Sequence, residues 1–182
     1  MPSRVGVRKY RELKRDIEHL VSSVNGEYTN PGWVPVRYMY RSLDPVELLT
    51  LYRAADVALV TPLRDGMNLV AKEYCASQSA EAGVLVLSEF AGAADQLREG
   101  ALLVNPYDIE GVAAAILRAV TMRPAERQSR MRSLRRAVRE HDVFAWVDAF
   151  LRAALGGRRV DLPPPDAGWY GGRVCSAARP DL

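Results

Sequence analysis

Thr61-Pro62-Leu63-Arg64-Asp65-Gly66-Met67-Asn68-Leu69-Val70-Ala71-Lys72-Glu73 joins a short apolar run to a segment of helical composition through a polar turn with one glycine. The run before it, Val57-Ala58-Leu59-Val60, reads as a strand covered on both faces. Residues 68–78 have the composition of a helix, and Gly66 suits a turn that approaches a ligand closely or takes a positive φ. A helix that begins just after such a turn aims unpaired N–H groups and the positive end of its dipole into the crevice beyond the strand, which suits an anion. Glu73 falls about one turn further in, within reach of a sugar hydroxyl on a ligand whose phosphates rest on the helix start. The combination suggests a nucleotide or sugar-nucleotide pocket. Most strand-turn-helix junctions bind nothing, however, and the glycine spacing is neither a P-loop nor the dinucleotide fingerprint.

The same alternation continues outward from this turn. Upstream, residues 7–24 repeat Tyr10, Leu13, Ile17, Leu20 and Val24 at three and four residues, one face of a helix whose charged face is solvated. Asn25-Gly26 and Asn30-Pro31-Gly32 mark turns, and residues 34–40 are expected to form a strand. Leu43-Asp44-Pro45 reads as a cap with proline in the first turn of a helix running to about Ala55. Downstream, residues 83–88 and 102–106 are further buried strands, separated by a short helix that ends near Gly100. Asp108 caps a helix to about Met122, and residues 124–155 form two helices divided near His141-Asp142. The pattern predicts an α/β fold, a doubly wound, parallel, Rossmann-like sheet followed by C-terminal helices. Ligands of such sheets bind beyond the C-terminal strand ends, where the turns at 64–68 and 89–93 both lie. The domain is expected to span 1–155, with 156–182, rich in proline and glycine, as a disordered tail.

Composition narrows the function classes. A chain of 182 residues, 48% of them hydrophobic, holds one domain with a full core. The formal charge is only +3, and the arginines are scattered without interleaved aromatics, so no nucleic-acid partner is expected. Cys75 and Cys175 have neither metal-type spacing nor a disulfide framework, which fits a reducing cytoplasm. No run is long enough to cross a bilayer, so no membrane association is expected.

Three stretches, taken in order, carry a resemblance. Residues 64–74, then Gly83-Val84-Leu85-Val86-Leu87-Ser88-Glu89-Phe90-Ala91-Gly92-Ala93-Ala94, then Val104-Asn105-Pro106-Tyr107-Asp108, closely resemble the C-terminal domain of the trehalose-6-phosphate synthase family. Pro2-Ser3-Arg4, Asn25-Gly26 and Gly32-Trp33 extend the match upstream, and it runs to about Leu155. That family is similar to the two-domain GT-B glycosyltransferases, which close two Rossmann-like halves over a nucleotide sugar. The resemblance implies transfer of glucose from UDP-glucose to glucose 6-phosphate with retention, with no cofactor and no metal. It implies donor contacts from Asp65, Gly66, Met67 and Asn68, continued by Leu69, Val70, Ala71 and Lys72, with Asp65 the candidate catalytic residue. Glu73 would hold the ribose hydroxyls, Leu43 would line the base site with Leu48 packed nearby, and Arg4 would pair with the acceptor phosphate. The family's cations for the donor diphosphate lie upstream of the position of Met1, so the chain reads as a piece of a longer protein, lacking one strand and inactive alone. Two alternatives stay open: a non-catalytic remnant or subunit that pairs with a separate N-terminal half or with itself, and a related transferase such as a glucosylglycerol-phosphate synthase.

Overall fold

The structure, a computed structural model, describes residues 8–154. Helix α1 spans Arg8–Tyr28 and α2 spans Pro45–Ala54. A β-α alternation follows: β1 Val57–Val60, α3 Leu69–Ser77, β2 Val84–Ser88, α4 Ala94–Leu97, β3 Leu102–Val104 and α5 Ile109–Thr121. Two further helices, α6 Pro124–Glu140 and α7 Val143–Ala154, close the described residues.

The three strands form one parallel sheet in the order β1-β2-β3, with Val57 beside Val84 and Val86 beside Leu102. Alternation along β2 splits its side chains between two cores, which is why every residue of that strand is buried and apolar up to Ser88. Leu85 and Leu87 pack with Ala71, Tyr74 and Cys75 of α3, Leu97 of α4, and Met131 and Leu134 of α6. Val84 and Val86 pack on the other side with Leu102 and Val104 of β3 and with Ala119 and Met122 at the end of α5. Helices therefore cover both faces, as the doubly wound expectation requires.

The helix boundaries follow local chemistry. Asp44 caps α2 by accepting from the amides of Val46 and Glu47 at 2.9 and 3.0 Å, and Pro45 occupies the first turn. Asp108 caps α5 through the Gly111 amide at 3.0 Å. The break between α6 and α7 falls at His141-Asp142, where the His141 amide returns to the Ala137 carbonyl and Asp142 accepts from the Ala145 amide.

Two local expectations are corrected. Asn25 and Gly26 lie inside the last turn of α1 and do not form a separate turn. Residues 34–40 form no strand, because a strand needs a neighbouring backbone and here the Asn25 side chain takes that place. It donates to the Val36 carbonyl and accepts from the Val36 amide, both at 2.9 Å, while the Lys14 ammonium sits 5.0 Å from the Tyr40 ring centroid. The expected tail, 156–182, lies outside the described residues, as does Arg4.

Candidate functional site

The C-terminal ends of β1 and β2 are continued by two turns that are bonded to each other. The Asp65 amide donates to the Phe90 carbonyl at 3.4 Å, and the Gly92 amide donates to the Asp65 carbonyl at 3.2 Å, so Asp65 and Ala91 form a parallel bridge beyond the strands. A Cβ built on Gly92 would overlap the Gly66 carbonyl oxygen. The glycine that permits the close approach is therefore Gly92. Gly66 has open space where a Cβ would sit and no positive φ, which corrects the expected left-handed conformation at that residue. The approach it makes possible is between two protein backbones.

Positive φ falls instead on Asn68, at φ 56. Asparagine visits this region more readily than most residues because its short amide can bond locally. Its Oδ1 accepts from the Ala71 amide at 2.9 Å as the N-cap of α3, and its Nδ2 donates to Asp65 Oδ2 at 2.7 Å. The capping side chain is buried while the two residues after it are exposed, Leu69 by 56% and Val70 by 48%. The amides of Leu69 and Val70 belong to the first helical turn, which has no intrahelical acceptors, and both residues are exposed beside the shelf formed by the two turns. Met67 is also exposed there.

Glu73 stands one turn into α3 on an exposed face, and its Oε2 accepts from the Tyr52 hydroxyl of α2 at 3.1 Å. Burial, followed by this bond, pushes the Tyr52 phenol up to about 12, so it is a donor throughout the neutral range. Tyr52 also packs edge-on against Tyr74, with ring centroids 6.3 Å apart. The Tyr74 hydroxyl donates to the Ala55 carbonyl at 3.1 Å, and the Gln78 side chain donates to the Tyr52 and Ala55 carbonyls. Three side chains of α3 and its cap thus grip the C-terminal end of α2.

The remaining sequence-derived residues divide. Leu43 and Leu48 are half-buried at the start of α2, which packs on α3. Ala71 is fully buried, and its amide is already taken by Asn68. Lys72 turns away from the shelf, its ammonium 3.5 Å from the His141 carbonyl at the end of α6, where a cation complements the helix dipole. Two open depressions, of about 520 Å³ lined by Arg8, Arg11, Glu12, Lys14 and Arg15 and about 440 Å³ lined partly by Glu99, Arg130 and Arg136, include no residue of the 64–73 turn. Sequence reasoning did not single out Tyr52, Gly92 or the αL geometry of Asn68. Only the last had a local signal, an asparagine before a helix after a glycine.

A doubly wound parallel sheet with an exposed helix start and a carboxylate one turn further in, at the C-terminal strand edge, defines a Rossmann-like domain. Comparison with known proteins places it more closely. Residues 1–155 match glycosyltransferase family 20, and the chain belongs to that family. It is 53% identical over 179 residues to trehalose-6-phosphate synthase of Mycolicibacterium smegmatis, covering 93% of this chain and 35% of that protein. It is 52% identical over 155 residues to the protein of the same name from Mycobacterium tuberculosis, covering 85% and 31%. Among solved structures, an alpha,alpha-trehalose-phosphate synthase (UDP-forming) from Burkholderia xenovorans in complex with glucose-6-phosphate superposes with a TM-score of 0.80 at 45% identity, over 85% of this chain and 34% of that one. A structure described as trehalose-6-phosphate from E. coli bound with UDP-2-fluoro glucose gives 0.79 at 46% identity, over 83% and 34%. The fold is thus that of the C-terminal half of a GT-B glycosyltransferase. The chain spans about a third of the length of these relatives.

Proposed function

We propose that this chain is the donor-binding half of an alpha,alpha-trehalose-phosphate synthase, in which glucose passes from UDP-glucose to glucose 6-phosphate with retention of configuration to give trehalose 6-phosphate. The observation that carries the reading is the start of α3, where Asn68 is fixed by Asp65 and the two residues after it are exposed. Two relatives of the same fold, bound to UDP-2-fluoro glucose and to glucose-6-phosphate, supply the ligand chemistry.

In this reading the donor diphosphate lies over the first turn of α3. Negative charge builds on it as the sugar departs, and amides held in place by the fold stabilise that charge without reorganising. Gly66, Met67 and Asn68 bring backbone groups to the glucose. Asp65 acts through its carboxylate at the sugar hydroxyls and through its hold on Asn68. Glu73 accepts from the ribose hydroxyls, since a carboxylate has four lone-pair sites and Tyr52 occupies only one. Leu43 and Leu48 at the start of α2 border the base. Retention then follows from attack by the acceptor hydroxyl on the face the diphosphate leaves, with the hydroxyl proton passing to the departing phosphate oxygen. Arg4 pairs with the acceptor phosphate in this scheme. The protein's contribution is orientation and charge stabilisation, with no carboxylate nucleophile and no metal.

Isothermal calorimetry with UDP tests the reading. Hydrogen bonds to a charged group contribute about 1.5–3 kcal/mol each, so Glu73→Gln should weaken UDP binding by roughly tenfold to a hundredfold. Heat of binding that is absent in the wild-type chain, or identical in the variant, would overturn it.

A further inference from the structure

The Glu73 carboxylate is tied to a different element. Tyr52 reaches it from α2 with its hydroxyl at 3.1 Å, and Tyr52 is itself immobilised: its ring packs on Tyr74, and its carbonyl accepts from Gln78. A glutamate on an exposed helix face samples many rotamers, and a fixed phenol donor selects among them. Because the phenol is pushed up to about 12, it stays protonated through the neutral range and donates to the Glu73 carboxylate.

We infer that Tyr52 is a positioning residue for Glu73, selecting the carboxylate rotamer that receives a cis-diol and thereby setting the preference of the site for a ribonucleotide over its 2′-deoxy analogue. This rests on the donor-binding reading above. A preformed carboxylate does not lose its rotamer freedom when the ligand arrives, and the advantage is largest for a ligand that presents both hydroxyls to the selected rotamer. Tyr52 touches no part of the ligand in this scheme. Leu48 lies toward the other end of the same helix, α2, and Leu43 directly before its Asp44 cap, so the grip of α3 on the end of α2 holds the spacing between the base-bordering residues and the ribose acceptor.

The test compares UDP with 2′-deoxy-UDP as calorimetric ligands of the full chain, in the wild type, Tyr52→Phe and Glu73→Gln. Phenylalanine keeps the ring against Tyr74 and removes only the hydroxyl, and a melting curve confirms that each variant is folded. Tyr52→Phe should weaken UDP roughly threefold to tenfold while leaving 2′-deoxy-UDP within a factor of about two, so that the preference narrows. Equal loss for both ligands would assign Tyr52 a merely structural role and overturn the inference. Unchanged UDP binding in Tyr52→Phe, alongside a loss in Glu73→Gln, would also overturn it and leave the donor-binding reading standing. A wild-type chain that binds neither ligand would remove the donor-binding reading itself, and the inference with it.

Discussion

Asn68 shows how much a single residue can settle. It satisfies the Ala71 amide, bonds Asp65, and holds a backbone conformation at φ 56 that costs an ordinary L-residue roughly 1–2 kcal/mol. Asn68→Ala loses the cap, about 1 kcal/mol, and meets that conformational cost as well, so the chain should lose about 2–3 kcal/mol of stability. Asn68→Gly also loses the side chain but adopts the same φ freely, so it should cost about 1 kcal/mol or less. Urea unfolding of both variants measures the difference, and equal losses would show that the conformation contributes nothing. The polar turn and the helix after it were legible because asparagine, glycine and an apolar run are strong local signals. That Gly92, and not Gly66, permits the close contact was not legible, since it depends on a turn some 26 positions away in sequence meeting this one.

At the level of elements, the alternating strands and helices were readable from their apolar runs, as for β1, α3, β2 and α5, but β1, expected to be covered on both faces, stands at the edge of the sheet with Leu59 46% exposed. Caps were equally legible: Asp44, Asp108 and the His141-Asp142 break all stand where their side chains could satisfy a helix end. The expectation failed at residues 34–40, because strand formation depends on a partner backbone as well as on alternation, and Asn25 bonds Val36 instead. The elements also differ in how they are held. Strand β2 is paired on both sides and buried throughout, whereas α1 and α7 have no buried residue. Hydrogen exchange should therefore protect Val84–Ser88 most strongly, with α1 and α7 exchanging through local opening at much lower free energy. Protection in α7 equal to that in β2 would require this helix to be covered in solution, a face on which Trp146 and Phe150 now stack 5.6 Å apart in the open.

Across the whole molecule, the buried side of the sheet carries an ionisable group with a consequence for stability. Burial pushes the Cys75 thiol from the ordinary 9.0 up to about 12. The folded state therefore keeps this proton over a range in which the unfolded chain releases it. The corresponding stability is fully present below pH 9 and declines as pH rises toward 12, by up to about 1.4 kcal/mol per pH unit. Tyr74, also displaced upward chiefly by burial, acts in the same direction at still higher pH. Urea midpoints measured between pH 8 and 11 should fall, and Cys75→Ala should flatten the slope over that interval. An unchanged slope in the variant would assign the alkaline loss to other groups.

The bonded pair of turns beyond β1 and β2 has an implication for redesign. Because a side chain at Gly92 would collide with the Gly66 carbonyl, the first turn fits only a second turn that keeps a glycine at this point. Anyone grafting a different sugar-nucleotide preference onto this scaffold would have to transplant both segments together, as one cassette.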